Sequence, residues 1–288
     1  MRTAYAEVLS RLTASSVAHD YDPRRRFEWP DALDSEAWLM PPELLSVYGT
    51  PMMDALGEPT LKALSKWESM NFYSLTLHGE RELITVISRR IHTGGFEVPS
   101  DFFHRFIDEE NHHMWFFSEF CRRYGKIYPD STVWVSTDEL RPELEVFLAF
   151  LRILIFEEIG DSFNIRMGGD MSLPPIVRAL NTVHHADESR HIAAGRQVAR
   201  HLWGLLGGEL SREEEAAFVS QLKEYIAFTL QSFYNPKMYA DAGIGDCYGF
   251  RRELLRQPAR RERHRILLNR SLTFLRTSGI INETEALY

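Results

Sequence analysis

Two five-residue segments, Asp108-Glu109-Glu110-Asn111-His112 and Asp187-Glu188-Ser189-Arg190-His191, share the pattern Asp-Glu-x-x-His. Residues three apart in an α-helix lie on the same face, so each segment directs one carboxylate and one imidazole toward the same region. Two such helices, with a further glutamate from each of two others, form the inward-facing site that binds two metal ions in helix bundles. The repeated motif therefore predicts an all-α fold and a two-metal centre together.

The second motif extends by one helical turn toward the N-terminus, to His184. In a helix, His184, Glu188 and His191 lie on one face and can serve a single centre. Apolar residues surround both motifs, and charged groups buried in such surroundings are costly unless they are paired or bind a metal. The ligands predicted from the two motifs are Glu109, His112, His184, Glu188 and His191. The neighbouring His113 and His185 are predicted to point away from the ligand face.

Two further carboxylates are predicted from two other apolar helices. Glu80 continues the apolar face of the helix that precedes the first motif, whereas Glu82 is the alternative and is better explained as a solvated charge. Glu157 and Glu158 come at the end of the most apolar run in the chain, where metal ligation accounts for a carboxylate. Glu157 is the predicted ligand, and Glu158 remains an alternative.

The charge of these ligands indicates the metal. Four glutamates balance the charge of two ferrous ions, so the reduced site would be neutral and tolerable in an apolar interior. Three imidazoles with carboxylates favour iron, with manganese as the less favoured choice, and no thiolate is available for a zinc site. Asp108, Asp187 and Asp161 are predicted to lie behind the ligands as hydrogen-bond acceptors, the first two for the N–H groups of ligand histidines on the opposite helix.

Most apolar residues recur at helical spacing, and glycine and proline residues separate successive helices. The predicted fold is an all-α, ferritin-like helix bundle with additional peripheral helices. A single domain is expected over residues 1–288, with an N-terminal arm at 1–58, a metal-binding bundle at 60–204 and C-terminal helices at 209–288. Five long helices are predicted, at 60–92, 100–123, 142–167, 175–204 and 212–233.

Composition excludes several classes of protein. The net charge of -8 and the pI near 5.8 argue against nucleic acid or a membrane surface as the main partner. Cys121 and Cys247 are too far apart for a disulfide framework or a thiolate site, which indicates a reducing cytoplasm. The N-terminus lacks the apolar segment of a signal peptide, and no apolar run reaches the ~20 residues that span a membrane. We therefore expect a cytoplasmic protein.

The chain resembles the ferritin-like non-haem di-iron proteins, and more closely the p-aminobenzoate N-oxygenase family of the AurF and CmlI type. The specific mark is His184-x-x-x-Glu188-x-x-His191, because related di-iron enzymes with Glu-x-x-His pairs typically lack the third histidine. Further support comes from HGE at 78–80, FEEI at 156–159 and the arm SSVAHDYDPRRRFEWP at 15–30. The resemblance covers nearly the whole chain.

The resemblance implies a di-iron centre that uses O2 as co-substrate. Its seven ligands would be Glu80, Glu109, His112, Glu157, His184, Glu188 and His191, with no catalytic residue beyond them. The implied reaction converts an aromatic amine to the hydroxylamine, nitroso and nitro compounds through a peroxo-diferric intermediate, in natural-product biosynthesis and in a homodimer. No flavin, nicotinamide or iron–sulfur motif is present, so we expect an external electron donor.

Two alternatives remain open at this point. One is a di-iron hydroxylase or desaturase that acts on an aliphatic or carrier-bound substrate. The other is a ferritin-like protein that stores metal.

Overall fold

The computed structural model describes residues 2–130, 139–207, 210–281 and 287. Within these ranges the chain forms α-helices and one 3-10 turn at Pro42–Leu44, and no strand is present, which confirms the all-α prediction. The helices are α1 (Arg2–Ala18), α2 (Pro23–Arg26), α3 (Pro51–Asp54), α4 (Glu58–Ser88), α5 (Ser100–Tyr124), α6 (Pro142–Gly169), α7 (Pro175–Leu205), α8 (Arg212–Ser232), α9 (Pro236–Asp241), α10 (Cys247–Arg256) and α11 (Pro258–Thr277).

The four long helices α4 to α7 form the central bundle. Helix α4 packs along α5, and α6 packs along α7. The two pairs meet through contacts of α5 with α7 and of α4 with α6. Aromatic side chains of α5 and aliphatic side chains of α6 are buried between the helices, so the apolar faces predicted from the sequence form the core.

Local sequence explains where the helices begin. Prolines occupy the first position of α6, α7, α9 and α11, where the missing N–H would have no intrahelical partner. Helix α8 begins with a capping box, in which Ser211 and Glu214 each accept a hydrogen bond from the other's backbone N–H. The ends of the five long helices agree with the predicted ends to within a few residues.

The remaining helices cover the bundle. Helix α1 packs against α5 and α7, α8 and α11 pack against α6, and α9 packs against α4. Glu68 of α4 connects the bundle to the N-terminal arm, because it accepts a hydrogen bond of 2.8 Å from the backbone N–H of Ser46. Arg260 of α11 donates to the carbonyl oxygens of Ser46 and Tyr48. None of the helices in the described ranges is both long and apolar enough to cross a membrane.

Candidate metal centre

Buried carboxylates and imidazoles from all four bundle helices meet in the middle of the bundle. Each of them is at most 5% exposed. The cluster consists of Glu80 from α4, Glu110 and His113 from α5, Glu157 from α6, and His184, Glu188 and His191 from α7. Their convergence places four acids and three imidazoles in an apolar interior.

Within this cluster, two overlapping groups have ligand atoms close enough to surround an ion. One contains Glu80, His113, His184 and Glu188, and the other contains Glu110, His113, Glu188 and His191; in each, the ligand atoms lie within 4.8 Å of one another. The Nε2 atom of His184 is 2.8 Å from Glu188 and 3.3 Å from Glu80. The Nδ1 atom of His191 is 2.7 Å from Glu110. The overlap of the two groups matches two neighbouring metal positions.

The inward-facing atoms of the cluster lie close to one another but form no well-aligned hydrogen bond in the part of the chain that the structure describes. Among the described residues, no hydrogen bond reaches either carboxylate oxygen of Glu80, Glu110 or Glu188. The same holds for the Nδ1 atoms of His113 and His191. Buried polar atoms without a partner cost free energy. Carboxylates with imidazoles and no thiolate suit iron, and the four carboxylates carry the charge that neutralises two divalent ions. The donor set therefore fits a di-iron centre.

The crowding of acids shifts their proton affinities. Burial raises the pKa of Glu80 to about 8. Burial and the charges of Glu188 and Glu110 raise the pKa of Glu157 well above its ordinary range. Burial would also raise the pKa of Glu188, but the imidazoles of His191 and His184 outweigh it and hold that pKa well below its usual range. Without a metal, protonation reduces the repulsion between these carboxylates. Bound cations would neutralise the carboxylates instead and displace the protons.

The first motif enters the cluster one residue later than predicted. The structure places Glu110 and His113 in the cluster, and the predicted Glu109 and His112 lie outside it. The reason is the rotation of α5 about its axis, because Glu110 and His113 continue the buried stripe that begins at Phe106. His112 is partly exposed, and burial lowers its pKa.

Glu109 has a different role in the structure, as an acceptor for a histidine of the opposite helix. Its carboxylate lies 2.8 Å from the Nε2 atom of His191. In the reverse direction, Asp187 lies 3.1 Å from the Nε2 atom of His113. Burial alone would lower the pKa of His113, but the contacts with Asp187 and Glu110 outweigh it and raise that pKa. Each motif thus contributes an acid that contacts the Nε2 atom of the other motif's histidine, the ring nitrogen that faces away from the cluster.

A layer of further groups holds these two acids. The guanidinium of Arg190 donates to both Glu109 and Asp187. From the N-terminal arm, Tyr21 donates to Asp187 at 3.0 Å and Ser16 donates to Glu109 at 3.3 Å. The contacts of Arg190, Ser16 and Tyr21 with these acids were not predicted from the sequence. They depend on how the N-terminal arm and helices α5 and α7 pack together, which no local pattern encodes.

The family described as P-aminobenzoate N-oxygenase AurF matches residues 2–279. The chain belongs to the AurF family. Membership makes it an oxygenase that acts on a small molecule, and it agrees with a buried cluster of glutamate and histidine that can hold metal. No curated protein matches the chain.

The alternatives for two predicted ligands lie outside the cluster. Glu82 is exposed and pairs with Arg81 at 3.2 Å. Glu158 is buried, but it accepts hydrogen bonds from Arg196, at 2.8 Å from Nε, and from Ser271. The structure therefore favours Glu80 over Glu82 and Glu157 over Glu158 as the groups that face the cluster.

The other two predicted acceptors also take positions away from the ligands. Asp108 is exposed and pairs with Arg105 at 3.5 Å, so it does not contact a cluster histidine. Its exposure follows from the same rotation of α5 that moves His112 outward. Asp161 is buried and accepts from Arg270 at 2.6 Å. It also contacts His185, which lies outside the cluster.

Proposed function

We propose that this AurF-family protein binds two iron ions in the buried cluster and catalyses the O2-dependent N-oxygenation of an aromatic amine. The observation that carries the proposal is the set of buried acids and imidazoles from four helices whose inner atoms converge without a well-aligned hydrogen bond among the described residues. Family membership supports the reaction class.

The proposed ligands differ from the sequence-based set at two positions. They are Glu80, Glu110, His113, Glu157, His184, Glu188 and His191. When bound, two iron ions would supply the redox chemistry that activates O2 for attack on an amine nitrogen. Like the predicted set, this set contains four carboxylates and three imidazoles, so its carboxylates still balance the charge of two ferrous ions.

The crossed acids determine which nitrogen of each imidazole faces the cluster. With Asp187 accepting at Nε2 of His113 and Glu109 at Nε2 of His191, the protons sit on the outer nitrogens. The Nδ1 lone pairs then point inward as ligand atoms. His184 has the opposite orientation, since its Nε2 atom faces Glu80 and Glu188. We propose that the crossed acids fix the imidazoles of His113 and His191 before metal binds.

Aromatic rings exclude water from the same space. The centroid of the Phe106 ring lies 4.2 Å from that of the His191 ring, and the centroid of the Phe117 ring lies 4.9 Å from that of the His184 ring. Both phenylalanines are buried. A dry interior strengthens electrostatic interactions and protects reactive species from solvent.

The proposal extends to four features that family resemblance supports. These are stepwise oxidation from amine to hydroxylamine, nitroso and nitro compound, an external electron donor, a homodimer and a role in natural-product biosynthesis. They rest on the family rather than on a contact in this chain.

The proposed function is tested with iron-loaded protein. The protein is loaded with Fe(II) under argon, mixed with 4-aminobenzoate, a chemical reductant and 18O2, and analysed by mass spectrometry. We expect products that carry 18O on nitrogen, and none from the His113→Ala variant. Two bound irons per chain with oxidation of an aliphatic substrate alone would favour a hydroxylase or desaturase, and uptake of many irons per chain would favour storage.

A further inference from the structure

Two adjoining cavities lie beside the α4–α6 face of the bundle, next to α8. The inner cavity, of about 250 Å³, is lined by α4, α6 and α8. The outer cavity, of about 390 Å³, is lined by α4, α8, the segment at 128–130 and residues 234–237 with Arg251. The residues that line both are Leu75, His78, Asp130, Phe228 and Ser232. The two cavities therefore adjoin along these five residues.

The inner cavity lies directly behind two cluster residues. Gly79 and Phe156 line it, and the next residues in the chain, Glu80 and Glu157, face the cluster. The tip of the Phe156 ring fills the place of a side chain at Gly79, where a Cβ atom would lie 2.1 Å from the ring. The wall between the cavity and the cluster thus includes a close contact that only glycine permits.

Electrostatics supports the same proximity. Burial raises the pKa of Tyr225, a residue of the inner cavity, to about 12, and the charge of Glu157 contributes to that rise. The opposite side of the cluster is covered by Arg190 and by Tyr21 of the arm. The α4–α6 side is thus the side on which a cavity adjoins the neighbours of two cluster residues, Glu80 and Glu157.

The inner cavity has the size and lining for an aromatic ring. A cavity of about 150 Å³ lined by aliphatic and aromatic side chains is enough to hold benzene. The inner cavity exceeds this volume, and Leu83, Val86, Ile153 and Phe228 contribute apolar walls. It therefore has room for a substituted ring.

The outer cavity is more polar than the inner cavity and is lined by two cations, Arg251 and Lys237. Arg251 donates to the carbonyl oxygen of Tyr234 at 2.8 Å, and Lys237 is exposed at the rim. Among the described residues, neither cation forms an ion pair with a carboxylate. Asp130 is the one acid among the described residues of this lining, and it pairs with Arg81 at 2.6 Å. In a chain with a net charge of -8, this local excess of positive charge favours an anionic group.

We propose that the two cavities bind the substrate, and that it is an aromatic amine with an anionic group several bonds away from the ring. The ring lies in the inner cavity against Gly79 and Phe156, with the amine toward the cluster. The anionic group lies in the outer cavity near Arg251 and Lys237. This inference rests on the proposed function, since it identifies the substrate class of the same site.

Equilibrium binding tests the substrate class. Isothermal titration calorimetry of iron-loaded protein under argon compares 4-aminobenzoylglycine, 4-aminobenzoate and neutral 4-aminobenzamide. We expect 4-aminobenzoylglycine to bind at least tenfold more tightly than both neutral 4-aminobenzamide and 4-aminobenzoate, whose anionic group is attached directly to the ring. Arg251→Gln and Lys237→Gln should each remove most of this preference, while Arg252→Gln, at the exposed neighbouring position, should retain it. Equal affinities for the three ligands, or a preference that survives both substitutions, would overturn the proposal.

The contact between Gly79 and Phe156 tests where the ring lies. Gly79→Ala should lower the affinity for all three ligands tenfold or more, because the new methyl group displaces the Phe156 ring. Adding Phe156→Leu should restore binding. Gly204→Ala is the control, since a Cβ atom there meets nothing within 4 Å among the described residues. If Gly79→Ala lowers the iron content or the stability, Phe156→Trp is the alternative variant. Its larger side chain fills the inner cavity from α6 and should likewise lower the affinity for all three ligands. Unchanged affinity in a folded, iron-loaded cavity variant would contradict the location.

The outcomes separate the two proposals. If the ligands bind as expected but none is N-oxygenated, the proposed function fails and the cavity assignment stands. If N-oxygenation proceeds with unchanged KM in every cavity variant, the function stands and the cavity assignment fails.

Discussion

The Nε2 atom of His113 lies 3.1 Å from a carboxylate oxygen of Asp187 on the neighbouring helix. The reciprocal contact joins His191 to Glu109 at 2.8 Å. Because Arg190 contacts both acids, the two imidazoles are oriented by one connected network. Helices α5 and α7 therefore each supply ligands to the cluster and hold the ligands of the other.

Removal of the charge of Asp187 should weaken iron binding. In Asp187→Asn, the acceptor for His113 loses its charge, and the imidazole becomes a weaker and less oriented ligand. Losses of a partner of this kind typically cost about 10–100-fold in metal affinity. Competition with a chelator of known affinity measures the effect. Asp108→Asn is the matched control on exposed α5 surface and should bind iron like the unaltered protein; an equal loss in both variants would contradict the crossed network.

The register of the first motif can be tested with two adjacent histidines. His113→Ala removes an imidazole from the cluster and should lower the iron content below two per chain. His112→Ala removes a partly exposed ring and should leave the iron content unchanged. Metal analysis by mass spectrometry after anaerobic loading distinguishes them. The reverse pattern would restore the register predicted from sequence.

Adjacent glutamates on α6 should separate metal binding from stability. Glu158→Gln weakens the contacts with Arg196 and Ser271, and we expect a loss of about 2–3 kcal/mol in the free energy of unfolding, with iron retained. Glu157→Gln should instead lose iron, because its carboxylate faces the cluster. Urea unfolding and metal analysis of both variants provide the test. Loss of iron from Glu158→Gln with two irons retained in Glu157→Gln would reverse the assignment.

Glu68 should make stability depend on pH. Burial raises its pKa to about 7, above the value of 4.5 for an exposed glutamate, so the folded state binds the proton more tightly than the unfolded state. Its contribution is therefore fully present below pH 4.5 and is lost as the pH rises to about 7. The loss is up to about 3 kcal/mol.

Comparison with Glu68→Gln isolates this contribution. Urea unfolding at pH 5, 6, 7 and 8 should show a smaller decline with pH for Glu68→Gln than for the unaltered protein. Glu82→Gln, at an exposed position, should decline like the unaltered protein. Parallel curves for the unaltered protein and Glu68→Gln would show that this carboxyl is not the source.

The helices and the second motif could be predicted from sequence because their signals are local. Apolar spacing and prolines mark the helix limits. His184, Glu188 and His191 lie on one helix face, and His191 has no neighbouring histidine that would offer a second register for the Glu-x-x-His pair. The structure places all three in the cluster. The same apolar spacing distinguishes Glu80 from the exposed Glu82.

The first motif was ambiguous because both of its residue types are doubled. Glu109-Glu110 and His112-His113 allow two registers, and the likeness to Asp187-Glu188 favoured Glu109 and His112, whereas Glu110 and His113 lie in the cluster. The buried stripe from Phe106 through Glu110 and His113 was the signal that would have selected the observed register. The contacts of Ser16 and Tyr21 depend on how α1 and the arm fold back over the bundle, which no local pattern encodes.

The central claim is that the seven buried side chains hold two iron ions. Its most direct test is anomalous X-ray diffraction at the iron edge from crystals of anaerobically iron-loaded protein. We expect two iron peaks per chain, bound by Glu110 and His113 from α5 and by the five cluster residues from the other three helices. A single peak, peaks bound by Glu109 and His112, or no iron in the cluster would contradict the claim.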